Sequence, residues 1–124
     1  MDREILFRGW NEKNKTWVVG YYLMNRGQHF VCPDEWADGK SWTDYQVDET
    51  TVGQYIGVKD NNGQRIFEGD KIAVDYGDGI IAVDTVVWLN AGTEFMAKDD
   101  HGAYHVIIGK LAIVIGNIYD KPNI

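Results

Sequence analysis

The 124-residue chain reads as an all-β protein, and three observations carry that reading. Apolar residues alternate with polar ones over short stretches, the pattern of half-buried strands. Fourteen glycines against two prolines mark tight turns, and five tryptophans and seven tyrosines favour a pleated surface. Finally, Gln54 to Ile72 holds a strand, the turn Asp60-Asn61-Asn62-Gly63, a second strand and a second turn at Gly69-Asp70. Asp, Asn and Gly accept positive φ or hydrogen-bond their own backbone, and the apolar flanks give both hairpin arms something to bury.

The elements follow in order. Glu4 to Trp10 alternates as a first strand, Asn11 to Lys15 is a polar turn, and Thr16 to Met24 returns as the second. Asn25-Arg26-Gly27-Gln28 turns the chain into His29-Phe30-Val31-Cys32, which Pro33 closes. From Asp34 to Thr51 the period dissolves into an acidic, aromatic insertion containing Trp36, Trp42 and Tyr45. Pro33-Asp34-Glu35-Trp36 suits the start of a helical turn that Gly39 stops early.

Beyond the central hairpin, Lys71 to Tyr76 places Ile72, Val74 and Tyr76 on one face, and Gly77-Asp78-Gly79 turns. Ile80 to Leu89 is a long strand with apolar residues on both faces: Ile81, Val83, Val87 and Leu89 on one, Ile80, Ala82, Val86 and Trp88 on the other. That predicts a central or curved strand covered in part on each side. Glu94 to Lys98, Ala103 to Ile108 and Lys110 to Ile115 complete the series. Evenly spaced short strands indicate a sandwich or small barrel, and no helix of ordinary length fits.

Twelve Lys and Arg against nineteen Asp and Glu leave a net charge of −7, which repels a phosphate backbone over most of the surface. The single Cys32 forms no internal disulfide, which fits a reducing cytoplasm. Charge interrupts the apolar run Met1 to Arg8 at once, so neither a leader nor a membrane anchor is expected. His29, His101 and His105 with Asp99 and Asp100 are the available metal-ligand types, but no Cys pair or His-Glu helical spacing joins them. Solvated acids account for Asp34 to Glu49 without a paired-carboxylate site, and Gly77-Asp78-Gly79 sets a carboxylate where a phosphate would lie. No catalytic residue, cofactor or metal is expected.

Arg3-Glu4-Ile5-Leu6-Phe7-Arg8-Gly9-Trp10-Asn11, the central segment from Gln54 to Ile72, and Val114-Ile115-Gly116-Asn117-Ile118-Tyr119-Asp120-Lys121-Pro122 resemble, in that order, the signature blocks of the YopX-like family of phage and prophage proteins. The resemblance implies a cytoplasmic protein of phage origin in a bacterial host, with one YopX-like domain over residues 1–124. Within it, residues 1–52 would form N-terminal hairpins and a variable insertion, and residues 53–124 an SH3-type barrel. Gly57, Gly63, Gly69, Asp70, Gly116 and Asn117 match its recurring positions and read as structural turns. The expected role is non-enzymatic protein contact, with a second copy and with a host or phage protein, through Trp36, Trp42 and Tyr45. The alternative is a nucleic-acid-binding barrel using Lys59, Arg65 and Lys71.

Overall fold

The computed structural model describes residues 4–77 and 79–124. The start of the N-terminal run and the centre of the Gly77-Asp78-Gly79 turn therefore lie outside the described residues. Among the described residues ten strands form: β1 (Phe7–Asn11), β2 (Thr16–Asn25), β3 (Gln28–Cys32), β4 (Asp48–Lys59), β5 (Arg65–Phe67), β6 (Asp70–Asp75), β7 (Ile81–Leu89), β8 (Glu94–Lys98), β9 (Tyr104–His105) and β10 (Ala112–Asn117). They make two five-stranded sheets, ordered β3-β2-β1-β4-β5 and β10-β6-β7-β8-β9. Among the described residues neither ladder closes on itself, and no helix is long and apolar enough to cross a membrane. The all-β class holds. The chain divides into two compact units, Met1–Tyr55 and Ile56–Ile124.

In the first unit, β1 pairs antiparallel with β2 on one side and β4 on the other. The β1–β4 register shifts between Arg8 and Trp10, and there a side chain completes the ladder. Trp10 N–H donates to Thr51 Oγ1 at 2.9 Å, and the Thr51 hydroxyl donates to the Asp48 carbonyl at 2.6 Å. Val18, Val31 and Val47 form the core, with Phe7, Tyr22, Tyr45 and Val52 around them. Arg8 is also buried, its guanidinium 4.4 Å from the centroid of the Trp17 ring.

The irregular insertion is folded. Its helical turn lies at Trp42–Tyr45, later than the expected start at Pro33, because Ser41 and Asp44 supply the cap. Ser41 N–H donates to Asp44 Oδ2 at 2.9 Å. Trp42 meets Phe30 edge-on with centroids 5.0 Å apart, so the turn is fastened to β3 by an aromatic pair.

In the second unit, Ile72 and Val74 of β6, Val86 of β7, Ala97 of β8, and Ala112 and Val114 of β10 meet Ile66 in one core. Asp60 ties the central turn to that core. Its Oδ1 accepts the N–H groups of Asn62 at 2.9 Å and Gln64 at 2.8 Å, while Oδ2 accepts Val114 N–H of β10 at 3.0 Å. Asn61 N–H donates to the Ala112 carbonyl at 2.9 Å beside it.

Three expectations need correction. The strand from Ala103 to Ile108 shrinks to Tyr104–His105, followed by a 3-10 turn at Gly109–Leu111. The chain there passes against β4: a Cβ on Gly109 would lie 2.0 Å from the Lys59 carbonyl oxygen. Gly116 and Asn117 are not a turn but the end of β10, where Gly116 sits at a register shift against β6. Gly57 has φ of +89° within β4 rather than between strands. Gly63 and Gly69 do turn the chain with positive φ, and Asp70 closes the second turn by accepting Phe67 N–H at 2.8 Å.

Two stability predictions follow from these contacts. Asp60→Ala leaves Val114, Asn62 and Gln64 N–H groups without their acceptor, so urea unfolding should show a loss of about 3 kcal/mol; an unchanged midpoint would refute the hub. Gly109→Ala drives a methyl into backbone and should destabilise more than Gly63→Ala, which meets open space and costs only its positive φ, about 1 kcal/mol. Thermal melts of the pair test the ranking, and the reverse order would show that the 109 segment yields.

Candidate functional site

Two hydrogen-bonded chains of polar side chains stand out, one in each unit. In the second unit, Tyr76 follows β6, Asp84 lies in β7, Asp99 follows β8 and His105 ends β9. Tyr76 is exposed, while Asp99 and His105 are half-buried. The Tyr76 hydroxyl donates to Asp84 Oδ2 at 2.5 Å, and its ring meets that of His105 with centroids 5.2 Å apart. His105 Nε2 lies 2.8 Å from Asp99 Oδ2, and Asp99 Oδ1 accepts the N–H groups of His101 and Ala103, each at 2.9 Å. Asp84 is buried.

In the first unit, the Tyr22 hydroxyl meets His29 Nδ1, and His29 Nε2 lies 2.7 Å from Glu49. In the tautomer with Nε2–H facing Glu49, Nδ1 accepts the hydrogen bond of the Tyr22 hydroxyl. Burial, then the Glu49 charge, pushes the Tyr22 phenol above its ordinary value. Burial, then the hydrogen bond to Asp84, does the same more strongly to Tyr76, and burial raises the Cys32 thiol. Nucleophilic catalysis requires the opposite shift. These three groups hold their protons at neutral pH, and the two tyrosines act as hydrogen-bond donors.

The residues singled out in the sequence separate in space. Trp42 and Tyr45 are half-buried against Phe30 and the first core. Trp36 is exposed, its indole N–H donating to the Pro33 carbonyl at 3.1 Å. Lys59 and Lys71 are exposed and Arg65 is half-buried. His101 stays in an exposed turn near Asp100 while His105 points to Asp99, so their spacing does not make a ligand pair. Among the described residues, no three His, Cys, Asp or Glu side chains converge as a metal site.

The feature that sequence reading missed is the outer face of β10-β6-β7. Ile81 and Val83, on a strand face expected to be covered in part, are 57% and 54% exposed. Leu111, Ile113 and Ile115 are exposed as well. Cross-strand register sets Ile113 beside Ala73 and Ala73 beside Val83, with Asp75 beside Ile81. The small Ala73 side chain floors a groove of about 400 Å³ between the two aliphatic columns, with Lys110 and Asn61 on its border. A second groove, of about 540 Å³ and more polar, lies in the first unit beside Asn11, Glu12, Asp44 and Asp48. The signal for the apolar face was present in β7 and β10, where both alternating sets carry hydrophobic residues.

The polar chain fixes two pH limits. The His105 hydrogen bond and the backbone N–H of Ala103 hold the Asp99 carboxyl below its usual range. Its stabilisation is therefore present above about pH 4 and lost as pH falls further. Tyr76 behaves oppositely: its raised phenol pKa stabilises the fold below about pH 10, and that contribution is lost as pH rises past this value. Unfolding free energies measured across pH should show a flatter acid limb for Asp99→Asn and a flatter alkaline limb for Tyr76→Phe. Limbs identical to wild type would contradict the assignment.

No curated protein matches the chain. Residues 6–124, which hold both cores and all ten strands, match the family described as YopX protein, and the chain therefore belongs to the YopX family.

Proposed function

We propose that this protein is a non-enzymatic accessory module that works by protein contact, both with a second copy of itself and with another protein of its host or phage. The observation that carries the reading is the exposed aliphatic face formed by Ile81, Val83, Ile113 and Ile115. Contiguous exposed apolar side chains on a sheet face are a common mark of an interaction surface. The raised pKa values of Tyr22, Tyr76 and Cys32 support a role without covalent chemistry. Trp36 offers a further exposed aromatic anchor.

The second unit is read as an SH3-type barrel. Its strand order β10-β6-β7-β8-β9, with the last strand returning to pair with the first of the unit's sheet, supports this. So does the 3-10 turn immediately before β10. A phage or prophage setting and a place in the bacterial cytoplasm belong to the same proposal and rest on the family resemblance. A nucleic-acid interface through Lys59, Arg65 and Lys71 has less support, since the half-buried Arg65 is poorly placed to track a phosphate backbone.

Light scattering on the purified chain, paired with retention assays on single- and double-stranded DNA and RNA at low salt, tests the choice. Protein contact predicts a solution mass above the 14.1 kDa of one chain and no retention on nucleic acid. A monomer that binds nucleic acid, with affinity falling steeply as salt rises, would overturn it.

A further inference from the structure

The outer face of β6 carries three residues in alternation, Lys71, Ala73 and Asp75. Lys71 and Asp75 are exposed and stand four residues apart, about 14 Å along an extended strand, too far to pair with each other. Among the described residues Lys71 forms no ion pair, while Asp75 Oδ1 accepts only the Gly77 N–H, at 2.9 Å. Between them Ala73 is flanked by Ile113 on β10 and Val83 on β7. The face thus has a positive end, a small apolar centre with aliphatic walls, and a negative end.

From this pattern we infer that the β10-β6-β7 face is a homodimer interface, in which two copies stack face to face about a two-fold axis that crosses β6 over Ala73. The inference rests on the protein-contact reading above and names its surface. Two simple two-fold arrangements bring the sheets together. An axis parallel to β6 sets Lys71 over Lys71 and Asp75 over Asp75 and is repulsive at both ends. An axis across β6 reverses the strand, so Lys71 of each copy lies over Asp75 of the other, and the pair forms twice. In that arrangement Ile113 meets Ile113, Val83 meets Val83, Leu111 lies near Ile115, and the two alanines allow close approach at the centre. Sheet stacking of this kind tolerates the twist of each sheet at a spacing of about 10 Å. The chain's net charge of −7 opposes association in general, so a face that lacks this acidic excess and whose Lys71 and Asp75 ends complement each other is where two copies can meet.

Sedimentation of wild type, Lys71→Asp, Asp75→Lys and an equimolar mixture of the two variants tests the inference, with circular dichroism confirming that each variant is folded. Wild type should be dimeric. Each single variant places like charges together at both ends and should weaken the dimer about tenfold or more. Mixing them restores both opposite-charge pairs in a heterodimer and should recover the wild-type mass. Val83→Asp, which buries a charge at the centre, should remain monomeric in any mixture. A wild-type dimer indifferent to all three substitutions overturns this face while leaving self-association intact. A monomeric wild type overturns the interface and self-association together. Failure of the mixture to re-form dimers overturns the two-fold arrangement.

Discussion

The second unit depends on one carboxylate. Asp60 is nearly inaccessible, and both of its oxygens face backbone N–H groups: one side folds the 60–64 turn, the other holds β10. A charged acceptor shared among three donors fixes more than a loop. With Val114 N–H and the Ala112 carbonyl engaged by Asp60 and Asn61, β10 is positioned against β6, and its side chains Ala112 and Val114 fill the core. The 3-10 turn before β10 then has to pass over Lys59, where only a residue without Cβ fits. The turn, the terminal strand and the core are thus consequences of a single hub.

The first unit is held differently. Its core is small, three valines with an aromatic surround, and close backbone approach works beside polar ties such as Trp10 N–H to Thr51. A Cβ on Gly20 would lie 2.1 Å from the Cys32 carbonyl, so the chain after β3 lies directly on β2. The aromatic insertion then covers this thin core. Trp42 packs on Phe30, and the Tyr45 hydroxyl accepts Ala37 N–H at 3.1 Å, closing the loop on itself. Aromatic content in this segment therefore serves burial first, with Trp36 the residue left exposed.

What could be read in the sequence was whatever local chemistry determines. The Asp60-Asn61-Asn62-Gly63 hairpin and the Gly69-Asp70 turn were legible because turn residues carry their own conformational preference. The Ile72, Val74, Tyr76 alternation was legible because only one of its two faces is apolar. The β7 run failed that test: with hydrophobic residues at both parities, alternation cannot say which set faces the core. Asp84 marks the inward set, but its carboxylate is buried against the Tyr76 hydroxyl from the segment that follows β6, a partner that alternation within β7 does not reveal. The shortening of β9 and the strand character of Gly116 and Asn117 were hidden for the same reason, since each is set by a partner distant in sequence. The polar chain of Tyr76, Asp84, His105 and Asp99 likewise has no sequence spacing to betray it.

The sheet edges and the sheet face of the second unit are treated in opposite ways. At one end of the order, β10 has outward backbone groups at Ala112 and Val114 satisfied by the 60–61 turn; at the other end β9 is only two residues long. Both devices blunt the addition of another strand, which is the usual hazard of an open sheet. The broad face carries no such protection, since aliphatic residues occupy both columns beside Ala73 where charged ones would cost nothing in packing. A fold that closes its edges and leaves an apolar face open favours, for the proposed association, the stacking of side chains over the pairing of backbones. Strand pairing is indifferent to side-chain identity, whereas stacking reads each residue on the face, so in the proposed dimer the choice of partner would depend on Lys71, Ala73, Asp75 and their neighbours.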